Sequence, residues 1–180
     1  MKSLVLLSGG IDSAVVLAMT MERGPCEAVL FDYGQPHLIE LEFAERIAAH
    51  YGVPTRRITL PTMPLVNDVV FAGRNLVLAA HAVSIAAADK FDAVALGCNQ
   101  SDWDQFSDCR PAFWSAFNSA SGAYGVHVMM PLLRMTKAEV VLEAKARGIP
   151  IAETWTCYAP RDRAPCGECL ACQTRIGAGA

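Results

Sequence analysis

The chain has 180 residues, 53% hydrophobic and 18% charged, with 15 Lys and Arg against 18 Asp and Glu for a formal net charge of -3. That length suits one domain with a sizeable core, and the slight negative balance excludes a sequence-wide field that would draw the protein to nucleic acid. No apolar run reaches membrane-spanning length, and the start lacks the basic, apolar and small-residue order of a signal peptide, so the expectation is a cytoplasmic protein, away from membranes, acting on a small molecule.

Residues 3–7, SLVLL, are short, apolar and partly β-branched, which predicts a buried parallel strand, and residues 12–19 carry apolar side chains at helical spacing. Between them, SGGIDS (8–13) forms a strand-to-helix turn. Gly9 and Gly10 permit positive φ and close approach to the backbone, and the first amides of the helix point at whatever occupies the turn, which makes an anion site suited to phosphate. It is neither a Walker loop, which needs Lys and then Ser or Thr after its last Gly, nor a dinucleotide fingerprint, which needs a third Gly. Ser8 and Ser13 offer hydroxyl donors, and Asp12 places a carboxylate where magnesium could bridge to phosphate oxygens. A tight turn with Asp12 as helix cap would account for the same residues without a ligand.

Further strands are expected at residues 27–31, 56–60, 93–96 and 126–130. Helices are expected at 37–51, where Leu41, Ala44, Ile47, Ala48 and Tyr51 share a face, and at 76–90, where Leu76, Ala79, Ala80, Val83 and Ala87 do. The alternation predicts an α/β fold, a doubly wound, Rossmann-like parallel sheet with right-handed crossovers and ligands at the C-terminal ends of its strands. Those ends carry SGGIDS, DYGQPH (32–37), GCNQSDWDQFSDCRP (97–111) and PLLRMTKAE (131–139), so one active site is expected at one edge. The chain divides into a body, 1–150, and a Cys-rich segment, 151–180, packed on the same domain.

Within these segments, Arg74 could clamp a phosphate or carboxylate, while Asn75 suits an N-cap and His37 a ligand contact or merely a polar helix start. Asp102, Asp104 and Asp108 crowd together with Arg110 beyond them, which calls for a cation or a donor-rich ligand such as a purine-like base, with Trp103 or Phe106 to stack on it. Magnesium competes for that role, and Asp108 could instead cap the helix begun by Pro111 with Arg110 as its salt bridge. Thr136 and Glu139 frame a capping box, and Lys137 at the first helical position, where the macrodipole disfavours a cation, is read as a phosphate contact or as a tolerated exposed Lys. Of seven cysteines, Cys26, Cys98 and Cys109 are scattered, whereas Cys157, Cys166, Cys169 and Cys172 fall within sixteen residues. In a reducing compartment such clustering points to metal. Four thiolates suit a structural zinc, a ferredoxin-type cluster would want a further Cys near the end, and a redox pair would explain only two of the four.

Together these residues resemble the 7-cyano-7-deazaguanine (preQ0) synthases, a family of PP-loop ATPases. The resemblance rests on LSGGIDS (7–13), DYGQ with His37 and Glu40, GRN (73–75), DCRP (108–111), MTKAE (135–139), TWTCY (154–158) and CGECLAC (166–172), and covers nearly the whole chain. It implies a sheet of the adenine nucleotide alpha hydrolase type and an ATP-dependent C–N ligase that converts 7-carboxy-7-deazaguanine and ammonia, through an adenylate and the amide, to the nitrile, with AMP released. Leu7, Ser8, Gly9, Gly10, Ile11, Asp12, Ser13 and Arg74 would bind ATP with magnesium, and Asp12, Ser13, Lys137 and Arg110 would act in catalysis. Asn99, Asp102, Trp103, Asp108 and Arg110 would hold the deazaguanine, and structural zinc would sit on the four clustered cysteines. The product is a free base destined for tRNA or DNA, so no direct nucleic-acid contact is implied; a homodimer is, with the aromatic FWSAF segment (113–117) as a further pointer.

The chain departs from the family pattern where Pro36 replaces the Arg after DYGQ, where Ala72 replaces the Pro before GRN, and where Gln105 and Ser107 replace Gly and Pro in the deazaguanine loop. These changes leave an enzyme that stops at the amide as an alternative. A PP-loop enzyme modifying tRNA is another, though no basic patch accompanies it, and one modifying a protein terminus is a third.

Overall fold

The computed structural model describes residues 1–66 and 70–180. The elements run β1 (Ser3–Leu6), α1 (Ile11–Met21), β2 (Cys26–Asp32), α2 (Glu40–His50), β3 (Thr55–Thr59), β4 (Leu65–Val66), β5 (Val70–Phe71) and α3 (Arg74–Ala88). They continue with β6 (Ala93–Ala95), α4 (Pro111–Gly122), β7 (His127–Met129), α5 (Lys137–Ala146) and α6 (Leu170–Gly177). Five strands form a parallel sheet in the order β3-β2-β1-β6-β7. The chain winds outward from β1 in one direction and then crosses to β6 on its other side. That crossing opens a crevice beyond the C-terminal ends of β1 and β6, the place where ligands bind in open α/β sheets.

Period-two alternation divides the sheet residues between two cores. Val5, Leu7, Ala28, Leu30 and Ala95 face one way, onto α1, α2 and α5. Leu4, Val29, Phe31, Val94 and Leu96 face the other, onto α3 and α4. Because both faces are covered, β1, β2 and β6 read as continuous apolar runs, whereas β3 at the edge alternates and carries Arg56 and Arg57. All five expected strands form.

Helix starts differ from the sequence expectation where local turns intervene. α2 begins at Glu40 because residues 37–39 turn first, with the amides of Glu40 and Leu41 donating to the carbonyls of His37 and Leu38. α3 begins at Arg74, and its N-cap is Gly73 at φ +69 rather than Asn75. Asn75 lies inside the first turn, where its backbone amide donates to the Asp108 carboxylate at 3.0 Å. The antiparallel pair β4 and β5 and the short α6 were not expected. Within FWSAF, Trp114 is buried and Phe113 and Phe117 pack against the second core, so these aromatics serve α4's inner side.

α5 opens with the expected capping box: the Thr136 hydroxyl accepts from the Glu139 amide, and the Glu139 carboxylate accepts from the Thr136 amide at 2.7 Å. Thr136→Ala is expected to lower the unfolding free energy by ~1 kcal/mol, measured by urea denaturation.

The C-terminal segment returns to the turn at the C-terminal end of β1. The Trp155 amide donates to the Gly9 carbonyl at 2.8 Å, and the Trp155 ring lies 5.1 Å from that of Phe43 on α2. Arg175 on α6 donates to the Thr154 and Ile151 carbonyls and to the Thr156 hydroxyl, which ties the last helix to residues 151–156. Among the described residues no helix is long and apolar enough to cross a membrane.

Candidate active site

Gly9 makes the turn after β1 possible. Its φ of +81 favours glycine, and a Cβ there would lie 2.3 Å from the Glu40 carbonyl, so α2 can abut the turn only with glycine at this position. Gly10 has an ordinary extended backbone and serves as the N-cap of α1, so only the first of the two glycines uses left-handed freedom. Ser13 closes the loop from inside: its hydroxyl donates to the Gly10 carbonyl at 2.9 Å and accepts from the Ser8 amide at 3.2 Å. Leu7 and Ile11 are buried in the core and also border the cleft.

Across the crevice, β6 ends in Gly97, Cys98 and Asn99. Buried Asn99 accepts from the Ser101 amide and donates from Nδ2 to Asp12 Oδ2 at 2.9 Å. Lys137, at the first turn of α5, places Nζ 2.6 Å from Asp12 Oδ1. The cation that the macrodipole disfavours there is thus offset by Asp12, and three elements meet on one carboxylate. Asp102 lies beside this group, where burial and then the charge of Asp12 push its carboxyl above the usual range.

These residues line a cavity of about 270 Å³ whose other wall is Tyr33, Glu40, Arg74, Phe106, Thr156 and Tyr158. Burial alone would lower the Arg74 guanidinium, but the neighbouring Tyr33, Tyr158 and Glu40 together hold it raised and charged. Burial pushes the Glu40 carboxyl up to about 7 against the opposing pull of Arg74. His37, fully buried, is pushed down to about 4 by burial and by Arg74, and neither ring nitrogen has a hydrogen-bond partner among the described residues. An unpaired buried polar group of this kind destabilises by roughly 1–3 kcal/mol.

The structure therefore brings together Ser8, Gly10, Asp12, Ser13, Arg74, Asn99, Asp102 and Lys137 around one cleft. It does not bring Trp103, Asp108 or Arg110 to the cleft wall. Two 3-10 turns, Gln100–Asp102 and Ser107–Cys109, send the side chains of this segment in different directions. Asp108 turns inward to the start of α3 rather than capping α4, Asp104 is exposed, and Arg110 donates to the Trp103 carbonyl at 2.8 Å rather than pairing with Asp108. Trp103 packs against the second core, and of the two aromatic candidates it is Phe106 that faces the cavity. Sequence reasoning assigned no role to Tyr33, Gln35, Glu40, Tyr158 or the pair Cys98 and Cys109, whose sulfurs lie 3.6 Å apart beside the Asn75 amide. Glu40 was visible only as a companion of the DYGQ motif, and Tyr158 only as the last letter of TWTCY.

The sulfurs of Cys157, Cys166, Cys169 and Cys172 all lie within 4.8 Å of one another. Backbone amides of Cys166 and Cys169 donate to the sulfurs of Cys157 and Cys166 at 3.2 and 3.3 Å, and the amides around Cys166, Cys169 foremost, hold the Cys166 thiol below its usual range. A single ion with ~2.3 Å metal–sulfur bonds spaces four tetrahedral thiolates by ~3.8 Å, so the cluster fits one metal ion.

The family described as "Queuosine biosynthesis protein QueC" matches residues 2–70 and 64–179. Proteins named 7-cyano-7-deazaguanine synthase are similar over nearly the full length: 34% identical in Synechococcus sp. (strain CC9902), covering 98% of this chain and 91% of that protein. The one from Hydrogenovibrio crunogenus is 33% identical, covering 97% and 89%, and the one from Thermoplasma acidophilum 32%, covering 97% and 86%. The first of these alignments spans 207 positions, more than the 180 residues of this chain, so the relative carries segments that this chain lacks. In fold, the chain is similar to the U34-tRNA thiolase NcsA from Methanococcus maripaludis with its [4Fe-4S] cluster, at TM-score 0.64 and 18% identity, covering 99% of this chain and 64% of that one. It is also similar to the NMN synthetase from Francisella tularensis, at TM-score 0.59 and 15% identity, covering 92% and 70%. With the family match spanning the chain and relatives above 30% identity, this protein belongs to the 7-cyano-7-deazaguanine synthase family.

Proposed function

We propose that the protein converts 7-carboxy-7-deazaguanine and ammonia to 7-cyano-7-deazaguanine at the expense of ATP, which is cleaved to AMP and pyrophosphate. The observation that carries this is the meeting of Asp12, Asn99 and Lys137 at the SGGIDS turn, in the switch-point crevice of a chain belonging to this family. A carboxylate resists attack by ammonia until one oxygen becomes a good leaving group, and adenylation supplies that. The turn amides and the Ser8 hydroxyl would bind the phosphates, and Lys137 would follow the charge that develops as pyrophosphate departs. Asp12 would hold magnesium, which neutralises phosphate charge when bound. Ammonia displaces AMP to give the amide, and a second adenylation at the amide oxygen leads to the nitrile.

Asp102, with Phe106 beside it, supports deazaguanine recognition from the β6 side: a carboxylate accepts from ring and amino N–H groups, and an aromatic face stacks. Arg110, Trp103 and Asp108 would contribute by shaping this segment, because their side chains lie outside the cavity wall. The four-cysteine cluster is proposed to hold zinc, since a [4Fe-4S] cube binds each thiolate to a different iron and spaces them more widely than one ion does. Body and C-terminal segment act as one domain, in the cytoplasm, where cysteines stay reduced and available to a metal, and the working assembly is a homodimer, which light scattering checks.

The test is mass spectrometry of product and AMP with time after mixing the protein with 7-carboxy-7-deazaguanine, ATP, magnesium and ammonium. The expected result is the nitrile with two AMP per product. The amide with one AMP would assign the chain to the truncated reaction that Pro36, Gln105 and Ser107 leave open.

A further inference from the structure

Turning 7-carboxy-7-deazaguanine into a nitrile requires every N–H bond of the incoming ammonium to break, so a proton acceptor must stand beside the reacting nitrogen at each stage. Among the described residues, three carboxylates line the cavity: Asp12, Glu40 and Asp102. Asp12 is taken up by Lys137 and Asn99, and Asp102 accepts from the Asn99 amide at the start of its 3-10 turn. Glu40 is differently placed. Its Oε1 accepts from Gln35 Nε2 at 3.0 Å, and no group among the described residues donates to Oε2. Gln35 is buried and locked, because its Oε1 accepts from the Tyr33 amide at 2.9 Å and its Nε2 also donates to the Phe31 carbonyl at 3.1 Å. Its amide group must therefore present N–H to Glu40. One carboxylate oxygen is braced and the other is left for the cleft.

We propose that Glu40 is the catalytic proton acceptor for the reacting nitrogen, with Gln35 as its positioning residue. This rests on the nitrile-forming function proposed above. In the first half, Glu40 takes a proton from ammonium, giving ammonia and the neutral acid. The ammonia lone pair forms the C–N bond at the acyl adenylate, and the C–O bond breaks with its electrons to AMP. Glu40, having passed its proton to solvent, accepts the surplus proton from nitrogen. In the second half, as the amide oxygen attacks the α-phosphorus of the second ATP and pyrophosphate leaves, Glu40 takes one N–H proton so that the neutral adenylated imidate forms; having passed that proton to solvent, it takes the last N–H proton, the N–H electrons complete the triple bond, and AMP leaves with the C–O pair.

The groups facing Glu40 fit this role. Arg74 from α3 keeps the anion available, while Tyr33, Tyr158 from the C-terminal segment and the unpartnered ring of His37, with Nε2 3.6 Å from Oε1, keep its surroundings dry and raise its proton affinity towards neutrality. An acceptor with proton affinity near the working pH is the most effective one.

The test separates nitrogen chemistry from adenylation. E40Q is expected to lower amide and nitrile formation by ~10²- to 10⁴-fold while ATP–pyrophosphate exchange driven by 7-carboxy-7-deazaguanine persists. Hydroxylamine, neutral near pH 7, should still trap the adenylate as the hydroxamate at close to the wild-type rate. With the rate referred to free ammonia, wild-type activity should rise through about pH 7 and the E40Q profile should lose that limb. Gln35→Ala, leaving the carboxylate unbraced, should lower the same step about tenfold and shift the limb; if E40Q fails to fold by thermal melting, this variant carries the test. Product formation near the wild-type rate in the decisive variant overturns the proposal, as does an equal loss of exchange and hydroxamate. A wild-type protein without exchange overturns the proposed function instead.

Discussion

Asp12→Asn should lower ATP–pyrophosphate exchange by about 10³-fold, the scale on which loss of one preorganised electrostatic contact is felt, with little change in thermal stability. The side chain accepts from Asn99 and Lys137 at the same time, so three separate elements, α1, the end of β6 and α5, are positioned by one carboxylate. Asparagine keeps the shape and one acceptor but loses the charge. Lys137 then stands uncompensated at a helix N-terminus, and the magnesium proposed to sit on Asp12 would lose an anionic ligand. Asparagine keeps an acceptor for Asn99, and the Lys137 ammonium lies at the open cleft, where water can solvate it, which is why activity and stability should part company. Lys137→Ala should lower exchange by about 10²-fold, and the double variant should be no worse than Asp12→Asn alone, because the two residues act as a unit. Exchange in Asp12→Asn at the wild-type level would remove the turn from the chemistry.

The parts of this site that were legible in the sequence are those in which backbone and side chain carry one message. SGGIDS announces itself because a glycine is obligatory where Glu40 abuts the turn, and the flanking runs are apolar because β1 is covered on both faces. The capping box at Thr136 was equally plain, since both of its hydrogen bonds lie within four residues. The segment after β6 was less legible for the opposite reason. Asp102, Asp104 and Asp108 are neighbours in sequence, but two 3-10 turns separate their side chains, and Asp108 finds its partner thirty-three residues away at the start of α3. Glu40 was overlooked because its significance lies in what is absent from one oxygen and in a brace, Gln35, whose own anchors are main-chain groups of Phe31 and Tyr33. No spacing rule encodes that.

Replacement of one tail cysteine should have the largest effect on stability, and it should reach the active site as well. Cys172→Ser is expected to reduce bound zinc from one per chain to a small fraction and to lower the melting temperature by ~10 °C, the equivalent of ~3 kcal/mol for a domain of this size. The reason is that the apolar packing around the cluster is slight: the third core is small, built on Trp155, Cys157 and Cys172 with Ile39 and Phe43 packed against it. A metal that joins Cys157, beside Trp155, to Cys172 on α6 closes this segment into a loop. The Trp155 amide on the Gly9 carbonyl then transmits the closure to the SGGIDS turn. Amide hydrogen exchange should therefore rise first in residues 151–180 and next in residues 8–13, while β1, β2 and β6 stay protected. Full zinc content with unchanged melting would mean that three thiolates suffice, and that the Arg175 contacts to Ile151, Thr154 and Thr156 hold the segment by themselves.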